Sequence, residues 1–484
     1  MLPVSLIYIC SGLGLLATGF AVLRDGESLD TVNSLVRAFK GGSQAGALGQ
    51  FQLVYLAVFF AAMMGDWLQG PFVYALYESY GISREDNGNL FVAGFGSSAV
   101  FGTFVGALAD KQGRKRFALL YCALYIASCM TKHFNQFAIL MVGRITGGIA
   151  TSLLFSVFEA WLASENASRG FGGSELGVTF SAAYFGNSIV AILAGEVGEF
   201  AAENWEATES GIFHTGRYCA PFDVSMLFLI LCGFLISQLW NENYGQESRG
   251  GGEGDANFLD TVRSVLDEGS LFYCGCVCAC FEASMYLFVF NWTPALTEPN
   301  TEKPPFGHIF TAFMVMCMLG SRLFSWLRQE HSLETIGKFM IPVAALCHAV
   351  PVFTENVSIR FIAFLVFETC VGIYFPTIGT LKGMVVPEAT RSTIYNIYRL
   401  PMNSMVVVTL LLQLSVEQAF LCTSVLMAFA SFAQYRLSIC RQEQVARSPL
   451  PGSNAIAATS VGKGVLAEDS TELENLKEEA TSAV

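Results

Sequence analysis

Apolar runs recur along this chain, each close to 20 residues long and separated by short polar breaks. That is the length a helix needs to cross about 30 Å of hydrocarbon. The pattern predicts thirteen such helices, at roughly 3–23, 51–77, 88–109, 117–133, 137–163, 177–200, 222–240, 271–291, 308–327, 336–353, 358–381, 393–414 and 417–438. The longest polar break, "NENYGQESRGGGEGDANF" (241–258), is Gly-rich and reads as a flexible linker. Leaving the first run aside, six runs precede that break and six follow it. The first run has no basic residue before its apolar stretch, and Arg24 comes after it. A cleaved leader has the opposite order. The run is therefore expected to stay in place as a helix with its N-terminus outside.

Composition agrees with a chain built for lipid. Of 484 residues, 53% are hydrophobic and only 14% charged, against about 25% charged in soluble proteins. Mean hydropathy is +0.49. The expected fold is all-α and polytopic: two six-helix bundles plus an extra N-terminal transmembrane helix. The expected plan is an N-terminal helix at 1–24, a cytoplasmic linker at 25–50, a first bundle at 51–240 and a central cytoplasmic linker at 241–270. A second bundle at 271–438 and a disordered acidic cytoplasmic tail at 439–484 complete it. Net charge is −13, but much of it sits in loops and in the tail "AEDSTELENLKEEA". No basic patch points to nucleic acid. The 14 cysteines lie mostly in apolar runs and read as small buried hydrophobes. In "CGCVCAC" (274–280), helical residues two apart point about 200° away from each other, so no metal site converges there.

Lys and Arg orient the chain. Placing "DKQGRKR" (110–116) in the cytoplasm puts most of the 27 basic residues on that side and leaves three within helices, Arg144, Arg322 and Arg399. The central linker and the C-terminus are then cytoplasmic, with the plasma membrane as the natural default.

"GALADKQGRK" (106–115) is the strongest local motif. Gly106 is expected to let two helices approach closely. Asp110 can pair with Arg114 or with a neighbouring helix N-terminus, and Gly113 permits a tight turn. A charged clasp of this kind can hold a gate in one state and release it in another. The motif resembles the signature between the second and third core helices of the major facilitator superfamily. "GRITGG" (143–148) is similar to that superfamily's fourth-helix signature. The Gly-Pro pair of its antiporters is absent from "YFGNSIVAILAGEVGEF". Further stretches, "GDWLQGPFVYALYESYG", "LLFSVFEAWLASE", "FEASMYLFVFNWTP", "GIYFPTIGTLKGMVVPE" and "YRLPMNS", resemble the molybdate-anion transporter family from about residue 50 to 440. That resemblance implies membrane transport of molybdate. Composition does not show the substrate.

An anion of that kind, a tetrahedral dianion, calls for guanidinium, hydroxyl and backbone N–H donors. An Arg in lipid costs roughly 2.5–3.5 kcal/mol on the insertion scale, so Arg144 should face a cavity or a buried partner. Arg144 and Arg399, one from each half, form the candidate clamp. The alternative is that each pairs structurally with an acid. Asn403 and Gln69 are neighbouring candidates. Asp66, Glu159, Glu282 and Glu368 occupy corresponding places in the two halves, on core helices one, four, seven and ten. A carboxyl in a low-dielectric setting holds a proton readily, so a co-transported proton could ride on them, or they could be packing pairs. Pro71 and Pro376 are expected to shape the cavity by kinking helices. Trp67, near mid-helix, is expected to wall it.

Two other readings stay open. One is a carrier for a different oxyanion or a small organic solute. The other is a non-transporting membrane sensor, but linker and tail are short and polar for a signalling domain. No metal set, phosphate loop or nucleophile elbow suggests an enzyme, and no cofactor is expected.

Overall fold

A computed structural model describes residues 2–24, 46–245, 258–298, 303–387 and 390–447. Most of the expected linker at 25–50, the middle of the central linker and the tail from 448 lie outside the described residues. The chain divides into two compact units, 1–437 and 438–484. Everything below concerns the first, and of the second only the end of the last helix is described.

The described residues hold sixteen α-helices and one short hairpin. They are α1 (Val4–Arg24), α2 (Ala47–Trp67), α3 (Val73–Ser79), α4 (Arg84–Gly102), α5 (Val105–Gln112), α6 (Arg114–Thr131), α7 (Phe137–Ser168) and α8 (Gly173–Asn204). After the hairpin of β1 (Thr208–Ser210) and β2 (Phe213–Thr215) come α9 (Ala220–Leu239) and α10 (Phe258–Asp267). The rest are α11 (Gly269–Ala295), α12 (Phe306–Glu330), α13 (Leu333–Phe353), α14 (Val357–Val385), α15 (Arg391–Leu411) and α16 (Val416–Arg447). Ten of these are long and apolar enough to cross a membrane, or eleven if the bent pair α4 and α5 counts as one span.

Four features depart from the pattern of apolar runs. The run at 51–77 is broken: α2 stops at Trp67 and α3 starts at Val73, with Pro71 in the gap, where its missing N–H and ring oppose a continuous helix. The second core span bends by 50° between α4 and α5. α6 and α15 fall short of the apolarity of the others. α6 opens on Arg114, Lys115 and Arg116, and α15 carries Asn396, Arg399 and Asn403. The central linker is partly structured, since α10 lies within it.

Helical polar groups satisfy each other inside the segment, which is why helices suit a hydrocarbon solvent. Side chains follow the same logic. Outward positions carry large apolar groups: Phe353 is 86% exposed, Phe339 73% and Leu16 72%. Such exposure on a soluble protein would drive association, and in lipid it is ordinary solvation. Inside the first half, Trp161 stacks on Trp240 with ring centroids 3.9 Å apart, and Phe158 packs edge-on against Trp240. Inside the second, Phe281 stacks on Tyr374 at 3.8 Å.

Helices α2 and α4 to α9 pack as one half, and α11 to α16 as the other. The halves meet along α8 with α12 and α4 with α15, and α1 lies against α12. The two halves repeat one packing device. A Cβ on Gly148 of α7 would overlap the Gly94 carbonyl of α4, and a Cβ on Gly372 of α14 would overlap the Cys317 carbonyl of α12. These are the second and fourth core helices of each half, held at backbone contact by a missing side chain. Gly106 behaves otherwise. Nothing lies within 4 Å of a Cβ there, so the close approach expected at that glycine does not occur.

Gly148→Leu should therefore lower the melting temperature of the purified protein by several degrees, in line with about 1–3 kcal/mol for overpacking. Gly106→Leu should leave it unchanged in the same thermal-unfolding assay.

Candidate functional site

The break after α2 ends the helix just beyond Asp66, where the chain turns across the first half. Asp66 is half-buried and accepts a short hydrogen bond from the Tyr125 hydroxyl of α6, with Thr151 of α7 3.4 Å from that hydroxyl. Trp67 donates its indole N–H to Asn187 of α8 at 2.9 Å, and its ring rests 5.7 Å from Phe310 of α12 in the other half. The tryptophan thus stands at the seam between halves. Gln69 is buried and its amide donates to the Gly65 carbonyl at 2.9 Å and to Ser225 at 3.3 Å. It braces the broken helix against α9.

Arg144, on α7, is half-buried. Its Nε donates to the Leu90 carbonyl at 3.1 Å, and its guanidinium lies 4.3 Å from the Phe91 ring centre. It packs on Gly94 of α4. No acid appears among these partners. Glu159, four turns further along the same helix, accepts from Tyr184 of α8 at 2.8 Å. The two charges of α7 therefore look to different neighbours, α4 and α8.

In the second half, Glu282 of α11 accepts from Tyr374 of α14 at 3.1 Å, with Lys382 and Arg399 within electrostatic reach. Arg399 is largely exposed on α15, and Asn403 is half-buried one turn on. Glu368 is buried on α14, near Cys317 of α12. Three of the four expected acids, Asp66, Glu159 and Glu282, thus take a tyrosine hydroxyl. A phenol satisfies a carboxylate without using up a guanidinium. Pairing of Arg144 with an acid, one of the two expectations for it, is not among the contacts described. Nor do the described contacts bring Arg144 and Arg399 together. Arg322 stacks its guanidinium 5.2 Å from the ring centre of Phe185 in the opposite half, an interface position.

The clasp is formed as expected and has further parts. Arg114 meets Asp110 at 2.7 Å. Gly113 has φ +113, a conformation that favours glycine. The chain leaving α9 then folds back over it. The Arg114 N–H donates to Asn243, and the Gly245 N–H donates to Asp110, at 3.0 and 2.9 Å through backbone carbonyls. Glu242 accepts the Lys115 and Arg116 amide N–H groups at 2.7 and 3.3 Å, capping the N-terminus of α6. A side chain on Gly113 would collide with that carboxylate. The start of the central linker is thus part of the clasp.

At the opposite end, residues outside the candidate set tie the halves together. Arg84 donates to Asn291 at 2.7 Å and to the Leu414 carbonyl at 3.2 Å, and lies over Phe290. Glu78 pairs with Lys303. Glu199 accepts the Gly307 N–H at 2.5 Å, and Glu196 approaches His308 to 3.0 Å. Each bond joins positions more than 100 residues apart, with no local spacing to announce it. The one usable sign was Ser83, which caps α4 through Asp86 and marks Arg84 as a first-turn residue.

Two six-helix halves, a charged clasp between the second and third core helices and a seam along α8 and α12 define a major facilitator transporter. A family profile described as sugar transporters with 12 transmembrane helices matches residues 30–370. Solved structures with the same fold include the inward-open xylose transporter XylE from E. coli (TM-score 0.60, 12% identity, 81% of this chain and 95% of that one). Another is a bacterial homologue of the lysosomal transporter Spinster (TM-score 0.62, 10% identity, 82% and 99%). The molybdate-anion transporter of Xenopus tropicalis is 31% identical over 369 residues, 74% of this chain and 77% of that protein. That of Takifugu rubripes is 30% identical over 430 residues, 83% and 84%. The chain belongs to the molybdate-anion transporter family.

Glu242→Ala should expose the Lys115 and Arg116 amides. The expected result is faster hydrogen exchange at those two positions and a loss of about 1 kcal/mol in stability, the usual cost of a lost N-cap.

Proposed function

We propose that this protein carries molybdate into the cell across the plasma membrane by alternating access, the bundles 51–240 and 271–438 rocking about a site between them. The similarity to molybdate-anion transporters over three quarters of the chain is the observation that carries this reading. The interior chemistry supports it. Arg144 from one half and Arg399 from the other are cations on core helices, and the described contacts of Arg144 are a carbonyl and a ring. Both are offered to the dianion, with Asn403 as a neutral donor. Gln69 acts as a brace. The acids Asp66, Glu159, Glu282 and Glu368 are placed to carry a proton alongside the anion. The clasp of Gly106, Asp110, Gly113 and Arg114 serves as the gate on the cytoplasmic side. The basic loop at 110–116 orients that end, the central linker and the C-terminus to the cytoplasm. The end tied by Arg84 and Lys303 then faces outside, which makes this arrangement an outward-closed one.

Molybdenum uptake should rise when the chain is expressed in an uptake-deficient cell. Arg144→Ala and Arg399→Ala should each reduce kcat/KM roughly 10- to 150-fold, the range for a lost hydrogen bond to a charged group, about 1.5–3 kcal/mol. Competing sulfate and xylose separate the substrate readings. No rise in molybdenum would defeat molybdate as substrate, and full uptake in both variants would defeat the clamp.

A further inference from the structure

The N-terminal helix α1 lies outside the two six-helix bundles, yet it contributes to the seam that closes one end of the transporter. There the first turn of α12 is docked on α8. Glu199 accepts the Gly307 N–H across the seam, and Thr311 donates to the Ile192 carbonyl at 3.1 Å. Between these two bonds sits His308. Its Nδ1 is 3.0 Å from Glu196 Oε2 of the opposite half, and its Nε2 is 3.0 Å from the Tyr8 hydroxyl of α1. The Tyr8 and His308 rings are 5.1 Å apart. Gly14 brings α1 into contact with Val315 and Met316 of α12, which sets Tyr8 over the imidazole.

The surroundings are acidic. Glu196, Glu199 and Glu203 lie at spacings of three and four on α8, so they share a face. All three act electrostatically on His308. Tyr218, just before α9, lies near both Arg217 and Glu199. An imidazolium at this position is held to the Glu196 carboxylate by its charge as well as a hydrogen bond, whereas a neutral imidazole keeps only the weaker neutral hydrogen bond. Tyr8 suits either state, because its hydroxyl can donate to a bare Nε2 or accept from Nε2–H. Glu196 and His308 belong to different halves, so their contact exists only while this end is shut.

We propose that His308 is a proton-operated latch on the outer gate, with α1 as the strap that positions it. Protonated, His308 binds Glu196 and keeps the outer end closed. Neutral, it lets the halves part. By linkage, a proton that favours the closed state must be released as the end opens, so a rise in external pH through the range where histidine titrates favours opening. The latch is separate from the buried acids of the transport site. It rests on the alternating-access reading but not on the identity of the anion.

The test is a distance across the outer end. Fluorescent non-natural amino acids replace Glu206 in the first half and Glu355 in the second, both exposed on loops at this end. Energy transfer is then read on the full chain in lipid nanodiscs between pH 6 and pH 8. In the otherwise unchanged protein, transfer should fall with rising pH, with a shift of about tenfold in the closed-to-open ratio. His308→Gln should abolish the response, and so should Glu196→Gln, while Tyr8→Phe should keep it with a smaller amplitude. Thermal melting confirms that each variant is folded, and Glu196→Gln carries the test alone if His308→Gln is not. A pH response that survives in either the His308 or the Glu196 variant overturns the latch. Transfer that changes with molybdate but not with pH overturns it too, and leaves alternating access standing. Transfer that changes with neither overturns both.

Discussion

In hydrocarbon a backbone N–H or C=O has no water to turn to, and everything else in this molecule depends on that constraint. It forces the chain into helices, because only a helix satisfies its own polar groups within one segment. It also removes the ordinary hydrophobic drive for helices to associate. What holds the helices together must then be close packing and a small number of polar contacts. The glycines at 148 and 372 supply the first by letting core helices two and four of each half touch through their backbones. The tyrosine-to-carboxylate bonds at Asp66, Glu159 and Glu282 supply the second.

The same constraint explains where polar groups are concentrated. Charges are costly inside the membrane, so those that remain are few, and Asp66, Arg144, Glu159 and Glu282 each have a definite neighbour. At the two ends of the bundles, polar contacts gather. One end carries the clasp of Asp110 and Arg114, which lies within one half and recruits Glu242 and the start of the linker. The other carries Arg84 with Asn291, Glu78 with Lys303, and Glu199 with Gly307, each of which spans the halves. The two ends therefore differ in kind. The clasp is made within one half, whereas the ties at the other end are made between halves.

Much of this was legible along the chain. The thirteen apolar runs all fall on helices, of which ten, or eleven with the bent pair, are long and apolar enough to span among the described residues, and the clasp was readable from spacing, because Asp110 and Arg114 are four apart and Gly113 sits at the turn. Local physics governs such features. Other features were misread for the same reason. Gly106 looks like a packing glycine but faces open space, because local spacing does not say which face of the helix meets a neighbour. Pro71 was expected to kink its helix, and it lies instead in a gap of several residues between α2 and α3.

By itself the sequence determined the solvent, the number and order of apolar runs and the stock of intramembrane charges. These follow from the length and polarity of contiguous segments, which sum residue by residue. Only the tertiary structure decided that three of the four acids answer to tyrosines, that Arg84 and His308 tie the two halves together, and that the N-terminal helix reaches the seam. The acid–tyrosine pairings join residues 25 to 92 positions apart, Arg84 and Asn291 are 207 apart, and Tyr8 and His308 are 300 apart. No local periodicity encodes them. They arise where folding brings two distant helix ends to one place in a medium that leaves a polar group no other partner.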